Sequence, residues 1–324
     1  MPHIKRKGRS GHLENFLLSF NVISPLLLLL AVGVLLKKIK FLSPVVTRAM
    51  NKVVALVLLP VLVFKNIYSA DTGDLFNGNV LLFCFIGILA EFGMAWAAAT
   101  FLTKDKNKRG VMLQGMFRSN YVIFGIPIAV SLYGESGSAA TAILTTVVIP
   151  AFNILAVFAL EMYNGNKINV LSILRKIVTN PLIIASVAGL ALSALQIRLP
   201  GFIEKPINDL AAAATPMAFV FLGASFAFND IKDHFKELVS TVTARLVLFP
   251  LIIVTTAVLL GYNGVWLVAI LTVFASPTAV SSFSLSQTLG GDDKLAGNIV
   301  VFTSAVSIIT MFTWIFVLKS ILLI

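Results

Sequence analysis

Charged residues are scarce in this chain. Asp, Glu, Lys and Arg make up only 12% of its 324 residues, whereas hydrophobic residues make up 58%. A typical soluble domain has about 25% charged residues. The core of such a domain cannot bury so much apolar sequence, but a lipid bilayer can. The composition therefore indicates a membrane protein.

Cysteine and histidine are scarcer still. Cys84 is the single cysteine, so no intramolecular disulfide can form, and all three histidines lie outside the long apolar runs. The sequence has no HExxH motif, no nucleotide-binding P-loop and no pair of carboxylates within the apolar runs. The acidic pair Asp292-Asp293 is interpreted as a turn and helix cap rather than a metal-diphosphate site. We therefore expect no metal, no cofactor and no enzymatic activity.

Long apolar runs are what the chain has instead. Runs near the roughly 20 residues that cross a bilayer occur ten times. They lie at 16–36, 45–69, 79–102, 110–133, 137–160, 177–197, 206–228, 238–261, 264–288 and 295–323. The predicted fold class is an all-α membrane protein with ten transmembrane helices, located in the cell (plasma or inner) membrane as a multi-pass protein.

Prolines and glycines recur at one fixed distance. Pro25, Pro44, Pro60 and Gly33 recur 156 residues later as Pro181, Pro200, Pro216 and Gly189. This favours two copies of one five-span unit, although proline and glycine are also simply frequent in membrane helices. An odd number of spans makes the second copy enter the membrane from the opposite side, which predicts inverted repeats. The predicted boundaries are an N-terminal tail at 1–15, a first repeat at 16–161, a cytoplasmic inter-repeat loop at 162–176 and a second repeat at 177–324.

The distribution of Lys and Arg predicts the orientation. Loops after even-numbered runs carry little beyond Arg198 and Lys205. Loops after odd-numbered runs, here called the lysine-rich face, carry Lys37, Lys38, Lys40, Lys104, Lys106, Lys108, Arg109, Lys167, Arg175, Lys176, Lys232, Lys236 and Lys294. We expect this face in the cytoplasm and both termini outside, although the basic segment 5–9 favours the opposite orientation. The net charge of +11 follows from this bias and requires no nucleic-acid partner.

Two runs combine a mid-span proline with small polar residues. Run 4 contains Arg118-Ser119-Asn120, Gly125 and Pro127, and run 9 contains Ser276-Pro277-Thr278 and Ser281. Proline lacks an N–H and displaces a carbonyl from the helix ladder, and non-helical backbone at membrane depth lasts only where protein or water satisfies it. Two broken helices at matching repeat positions predict a binding site where they cross. The alternative is a pair of merely kinked helices.

The expected ligand of such a site is an anion. If both helices unwind at their prolines, each second half begins near the middle of the protein with free N–H groups and the positive end of a helix dipole. Ser119, Asn120, Ser276 and Thr278 would add hydrogen-bond donors.

Arg118, Glu91 and Arg245 lie well inside the runs. Arg118 shares a helical stripe with Tyr121 and Gly125, so it is a candidate for binding or gating an anion; the alternative is a side chain that reaches the cytoplasmic interface. Glu91 is interpreted as the structural partner of one of the arginines, with proton coupling as the alternative. Arg245 is interpreted as structural.

With these residues identified, the chain resembles the auxin efflux carrier family, in its bacterial branch of malate- and malonate-permease-like proteins. The resemblance covers essentially the whole length. It is carried by the order of short motifs: Asn51 and Leu59-Pro60, Phe117-Arg118-Ser119-Asn120 with Phe124-Gly125-Ile126-Pro127, Asn180-Pro181, and Ala275-Ser276-Pro277-Thr278-Ala279.

The resemblance implies two inverted five-helix repeats. Spans 1, 2, 6 and 7 would form a scaffold able to form a homodimer, and spans 3–5 and 8–10 a mobile transport domain that moves in an elevator-like way. The substrate would bind where broken helices 4 and 9 cross, with Pro127 and Pro277 at the crossing. The expected substrate-binding residues are Arg118, Ser119, Asn120, Gly125, Pro127, Ser276, Pro277, Thr278 and Ser281.

The function expected from these features is secondary transport of a small organic anion, a mono- or dicarboxylate, across the lipid bilayer. Glu91 is a candidate for coupling to an ion, H⁺ or Na⁺, or for an ion pair. The alternative is a membrane-embedded sensor that binds a ligand without moving it.

The topology can be tested by labelling an engineered cysteine. In a background lacking Cys84, a cysteine at Asn107 should resist a membrane-impermeant thiol reagent in intact cells and react after permeabilisation. Ready modification from outside would reverse the predicted orientation.

Overall fold

A computed structural model describes residues 10–69, 77–163, 170–225 and 233–324. These ranges are helical apart from turns and one isolated antiparallel bridge. The first half contains α1 (Ser10–Lys38), α2 (Pro44–Val53), π1 (Val54–Leu58), α3 (Leu59–Tyr68), α4 (Gly78–Leu102), α5 (Lys106–Phe117) and α6 (Tyr121–Tyr163). Helix α6 consists of two helices that meet in a kink at Gly134, whose φ of 60° and ψ of −137° are not helical. The second half contains α7 (Val170–Val178), α8 (Pro181–Ala194), α9 (Gly201–Ser225), α10 (Phe235–Thr243), π2 (Ala244–Leu248), α11 (Phe249–Leu259), α12 (Gly264–Ala275), α13 (Ser281–Leu289) and α14 (Asp293–Ser320).

Helices occupy each of the ten predicted runs. Six helical stretches in the described residues are long and apolar enough to cross a membrane: Pro44–Tyr68, Gly78–Leu102, Ala139–Tyr163, Gly201–Ser225, Phe235–Leu259 and Asp293–Ser320. Pro181–Ala194 and Gly264–Ala275 are shorter apolar helices. The chain is therefore a multi-pass, all-helical membrane protein, whereas the inverted arrangement of ten spans stays a prediction.

Two helices extend beyond the predicted apolar runs. Helix α1 begins at Ser10, inside the predicted tail, and α7 lies largely inside the predicted inter-repeat loop. Asp292 accepts a hydrogen bond from the Leu295 N–H at 2.9 Å and caps α14, as interpreted from the sequence. The basic segment 5–9, Lys167 and Lys232 lie outside the described residues.

Two transmembrane stretches contain one turn of π-helix directly before a proline. π1 precedes Leu59-Pro60, and π2 precedes Phe249-Pro250. Proline cannot donate a backbone hydrogen bond, and its ring collides with the carbonyl four residues earlier in a regular α-helix. The wider turn is a known way of accommodating an irregularity inside a helix. Arg245 lies in π2 and is fully buried.

Both predicted helix breaks exist, but the first lies at a different position from the one predicted. Helix α12 ends at Ala275 and α13 begins at Ser281, so Pro277 lies in the second break as predicted. The first break lies between Phe117 and Tyr121, whereas Pro127 is exposed inside α6. The prediction that the helix unwinds at Pro127 is wrong because contacts across the protein, described below, stabilise the break at Arg118–Asn120.

Two close helix contacts are related by the distance that relates the prolines. Gly33 of α1 lies against the backbone of Val220 in α9, and Gly189 of α8 lies against the backbone of Phe64 in α3. Both members of the first contact recur 156 residues away in the second. Such contacts let transmembrane backbones approach closely. A duplicated unit is expected to repeat its contacts in this way.

Gly33→Ala should destabilise the protein, because a Cβ there would lie 1.9 Å from the Val220 carbonyl oxygen. Overpacking of this kind costs about 1–3 kcal/mol. Gly93→Ala is the matched control, since Gly93 lies in helix α4 with nothing within 4 Å of a new Cβ. Thermal unfolding of both purified variants in detergent measures the difference. Equal stability of the two variants would contradict the close contact.

Candidate functional site

The two helix breaks pair with each other. Ser119 and Thr278 form an isolated antiparallel bridge. The N–H of Asn120 donates to the carbonyl of Pro277 at 2.8 Å, and the N–H of Ala279 donates to the carbonyl of Arg118 at 3.2 Å. These two N–H groups are therefore not free for an anion, contrary to the sequence-based expectation. The N–H groups at the start of α6, from Tyr121 to Ile123, have no acceptor within their own helix.

Arg245 satisfies the carbonyls at the ends of the two helices that precede the breaks. Its Nε donates to the Ser276 carbonyl at 2.8 Å and its Nη2 to the Val273 carbonyl at 3.1 Å. Its Nη1 donates to the Phe117 carbonyl at 3.0 Å. One fully buried guanidinium thus joins the C-terminal ends of α5 and α12, where the helix dipoles are negative.

Glu91 is the ionic partner of this arginine. Arg245 Nη1 lies 3.3 Å from Glu91 Oε2, and both side chains are fully buried. Glu91 belongs to α4, in the third apolar run of the first half, and Arg245 to the third run of the second half. The second carboxylate oxygen, Oε1, has no hydrogen-bond partner within the described part of the chain.

Several of the predicted site residues hold the breaks in place rather than face an opening. Thr278 Oγ1 donates to the Gly115 carbonyl at 2.7 Å, and Ser276 Oγ donates to the Thr272 carbonyl at 2.6 Å. A Cβ on Gly125 would lie 2.6 Å from Thr272 Cβ, so α6 and α12 pack closely at this glycine. These residues hold the helix breaks in position next to the cavity without lining it.

A cavity of about 80 Å³ lies beside the paired breaks. Of the predicted site residues, Arg118, Ser119, Asn120 and Ser281 line it, whereas Gly125, Pro127, Ser276, Pro277 and Thr278 do not. Sequence reasoning missed the polar lining residues Asn66 and Thr215. The repeat contained a usable signal, because Leu59 and Thr215 directly precede prolines 156 residues apart and both line the cavity.

Unsatisfied hydrogen-bond donors lie around this cavity. Arg118 Nη2 donates to Asn153 Oδ1 at 2.7 Å, but Arg118 Nη1 has no hydrogen-bond partner in the described residues. Asn120 Nδ2 and Ser119 Oγ are likewise buried without a described partner. No carboxylate of the described residues forms an ion pair with Arg118, whose side chain is only 3% exposed. The chemistry of this set suits an oxyanion.

A second cavity, of about 360 Å³, lies towards the lysine-rich face. Its lining includes Asn180, Thr288 and the ion pair between Lys176 Nζ and Glu161 Oε2, 2.6 Å apart. Leu182 lines both this cavity and the central one. The larger cavity therefore adjoins the site from the side that is expected to be cytoplasmic.

Apolar helices, buried helix breaks and a cavity beside them that is lined in part by polar side chains are typical of a membrane transport protein, and similarity to known proteins agrees. A family model described as "Membrane transport protein" matches residues 18–315. The chain belongs to this family, which is the auxin efflux carrier family.

Individual relatives are distant but align over most of their length. The chain is 24% identical over 278 residues to a protein of Rhizobium meliloti named "Putative malonate transporter", covering 84% of this chain and 87% of that protein. It is 24% identical over 312 residues to an uncharacterized transporter of Methanocaldococcus jannaschii, covering 92% and 98%. An uncharacterized transporter of Methanothermobacter thermautotrophicus is 21% identical over 304 residues, again covering 92% and 98%.

Arg245→Ala should destabilise the protein strongly, by about 3–5 kcal/mol, because it leaves Glu91 as an unpaired buried carboxylate. It also leaves the carbonyls of Phe117, Val273 and Ser276 without their donor. Arg245→Lys should recover only part of the loss, since an ammonium cannot reach all these acceptors at once. Thermal unfolding in detergent measures the effect, with the exposed Arg175→Ala as control. Parental stability of Arg245→Ala would exclude this role.

Proposed function

We propose that the protein is a secondary transporter of small organic anions, which bind in the central cavity between the two helix breaks. The observation that carries the proposal is Arg118, a buried cation with one guanidinium nitrogen unpaired in the described residues. Burying a charge without a partner costs several kcal/mol, so such a side chain is expected to meet its counter-ion as a ligand. In a transporter, that ligand is the substrate.

The neighbouring groups favour a carboxylate as the bound anion. A planar guanidinium matches a carboxylate with two parallel hydrogen bonds, and Ser119 Oγ and Asn120 Nδ2 are further donors beside it. The start of α6 adds the positive end of a helix dipole and its first N–H groups. The name of the Rhizobium meliloti relative supports a mono- or dicarboxylate.

The proposed mechanism is an elevator movement of the transport domain, spans 3–5 and 8–10, against the scaffold, spans 1, 2, 6 and 7. Residues 16–161 and 177–324 are proposed as inverted repeats joined by 162–176, in support of which the Gly33 and Gly189 contacts recur at the repeat distance. The cavity has one wall from the proposed mobile domain, with Arg118 and Asn120, and one from the proposed scaffold, with Leu59 and Thr215. When one wall of such a site slides along the other, the side of the membrane from which a substrate can reach the site changes.

A hydrogen bond between α6 and α8 crosses this proposed sliding interface. Asn153 Nδ2 of α6 donates to Ser186 Oγ of α8 at 3.3 Å, while Asn153 Oδ1 accepts from Arg118. The bond must break when α6 moves along α8. The Asn153 amide therefore links the site to the interface. An anion bound to Arg118 would affect the hydrogen bond between Arg118 and Asn153, and Asn153 in turn contacts the scaffold.

Coupling to an ion, H⁺ or Na⁺, is part of the proposal, together with a homodimeric scaffold in the plasma or inner membrane. Glu91 Oε1 is the group that supports proton coupling, since it is a buried carboxylate oxygen without a partner in the described residues. Glu91 forms an ion pair with Arg245, which bonds the carbonyls at both helix breaks. Protonation of Glu91 would therefore affect both breaks.

Arg118→Ala should reduce uptake of labelled malonate into proteoliposomes by about tenfold or more, because a charge-assisted hydrogen bond contributes about 1.5–3 kcal/mol. Arg118→Lys should keep part of the uptake, since the positive charge is retained. The control is Arg175→Ala, which removes an exposed arginine that lines neither the central nor the second cavity. Parental uptake by a well-folded Arg118→Ala variant, with each of a panel of mono- and dicarboxylates, would contradict the proposed site.

A further inference from the structure

A third cavity, of about 210 Å³, lies on the face opposite the lysine-rich loops. It is lined by the end of α3, with Lys65, Tyr68 and Ser69, and by Arg198 and Asn208 from the segment before α9 and from α9 itself. The central cavity does not share these residues, although Asn66, next to Lys65 on α3, belongs to the central lining. The two cavities are therefore separate and lie along one helix.

The two cations of this outer cavity have no anionic partner in the described residues. Neither Lys65 nor Arg198 forms an ion pair there. Glu204 also lines the cavity, but its Oε1 accepts a hydrogen bond of 2.6 Å from Tyr68 Oη. Tyr68 Oη in turn accepts from the Leu199 N–H at 2.8 Å, which fixes the phenol and the carboxylate that it binds. Among the described residues, the cavity thus brings together two cations without an ion pair and one carboxylate that accepts a hydrogen bond from Tyr68.

The position of these cations is unusual for a membrane protein. Lys and Arg concentrate on the cytoplasmic side, and the loops on the face of the outer cavity carry few of them. Lys205 lies on the same face, but its Nζ is paired with Asp209 Oδ2 at 2.8 Å. Lys65 and Arg198 are the cations that line the pocket, and neither has such an ion pair with another described residue.

We propose that this pocket is a second anion-binding site, in which Lys65 and Arg198 hold an oxyanion, the carboxylate of a solute or the phosphate of a lipid headgroup. An arginine fork and a lysine point charge are the usual pair for such groups. Ser69 and Asn208 lie in the lining as polar neighbours. The site goes beyond the proposed transport site, since it uses neither Arg118 nor the helix breaks.

The test measures how fast Lys65 is acetylated by acetic anhydride, followed by mass spectrometry on the whole purified chain in a neutral detergent. Malonate and inorganic phosphate are the probes, each compared with sodium chloride at equal ionic strength. Either probe should slow acetylation of Lys65 and leave the exposed Lys205 unchanged. Arg198→Ala should raise the concentration for half-protection by about tenfold or more. Arg118→Ala should leave the protection intact, which separates this site from the central one.

A second arm distinguishes the two sources of the oxyanion. The protein is placed in bilayer discs of phosphatidylcholine, with or without phosphatidylglycerol. Protection that appears with phosphatidylglycerol alone assigns the pocket to an anionic lipid headgroup, whereas protection by malonate or phosphate in phosphatidylcholine assigns it to a solute. Absence of protection in every arm, or equal protection of Lys205, overturns the proposal.

Discussion

The structure depends on the hydrogen bonds between one buried guanidinium and the backbone carbonyls of two helices. A helix that ends inside a membrane leaves carbonyls that lipid cannot satisfy. Arg245 donates to the ends of α5 and α12 together, and Glu91 balances its charge. An arginine suits this position because its five donors are fixed in one plane. Without Arg245, the unsatisfied carbonyls at the two breaks would destabilise the protein. The helices would then close the cavity or the protein would unfold.

The two buried arginines differ in how completely they are satisfied. All three nitrogens of Arg245 donate to protein acceptors, so its role is complete without a ligand. Arg118 has one nitrogen on Asn153 and another that is unpaired in the described residues. The hydrogen bonds of Arg245 maintain the fold. The unpaired nitrogen of Arg118 lowers the stability of the protein, and a bound anion would restore it. Proteins concentrate such incomplete polar groups at sites of function.

The sequence was sufficient for the features that depend on local composition. Run lengths located the helices, and the polar residues around Pro277 located the second break. The first break was assigned to Pro127 because proline is the strongest local signal, whereas its true position at Arg118–Asn120 depends on pairing with Pro277 and Ala279. Pairing across the protein cannot be derived from one helix. For the same reason, the sequence could not decide which arginine accompanies Glu91, nor that Asn66 lines the cavity.

The π turn before Leu59-Pro60 has a consequence for both cavities on α3. A π turn contains one residue more than an α turn, so it shifts the phase of the helix that follows by about 100°. Leu59, Leu62 and Asn66 reach the central cavity, and Lys65 and Tyr68 the outer one, only in this phase. A single-residue deletion within Val54–Leu58 that restored a regular α-helix would rotate both linings away together. The extra residue sets the rotation of α3 about its own axis. For both linings, the number of residues in Val54–Leu58 therefore matters more than which apolar side chains they carry.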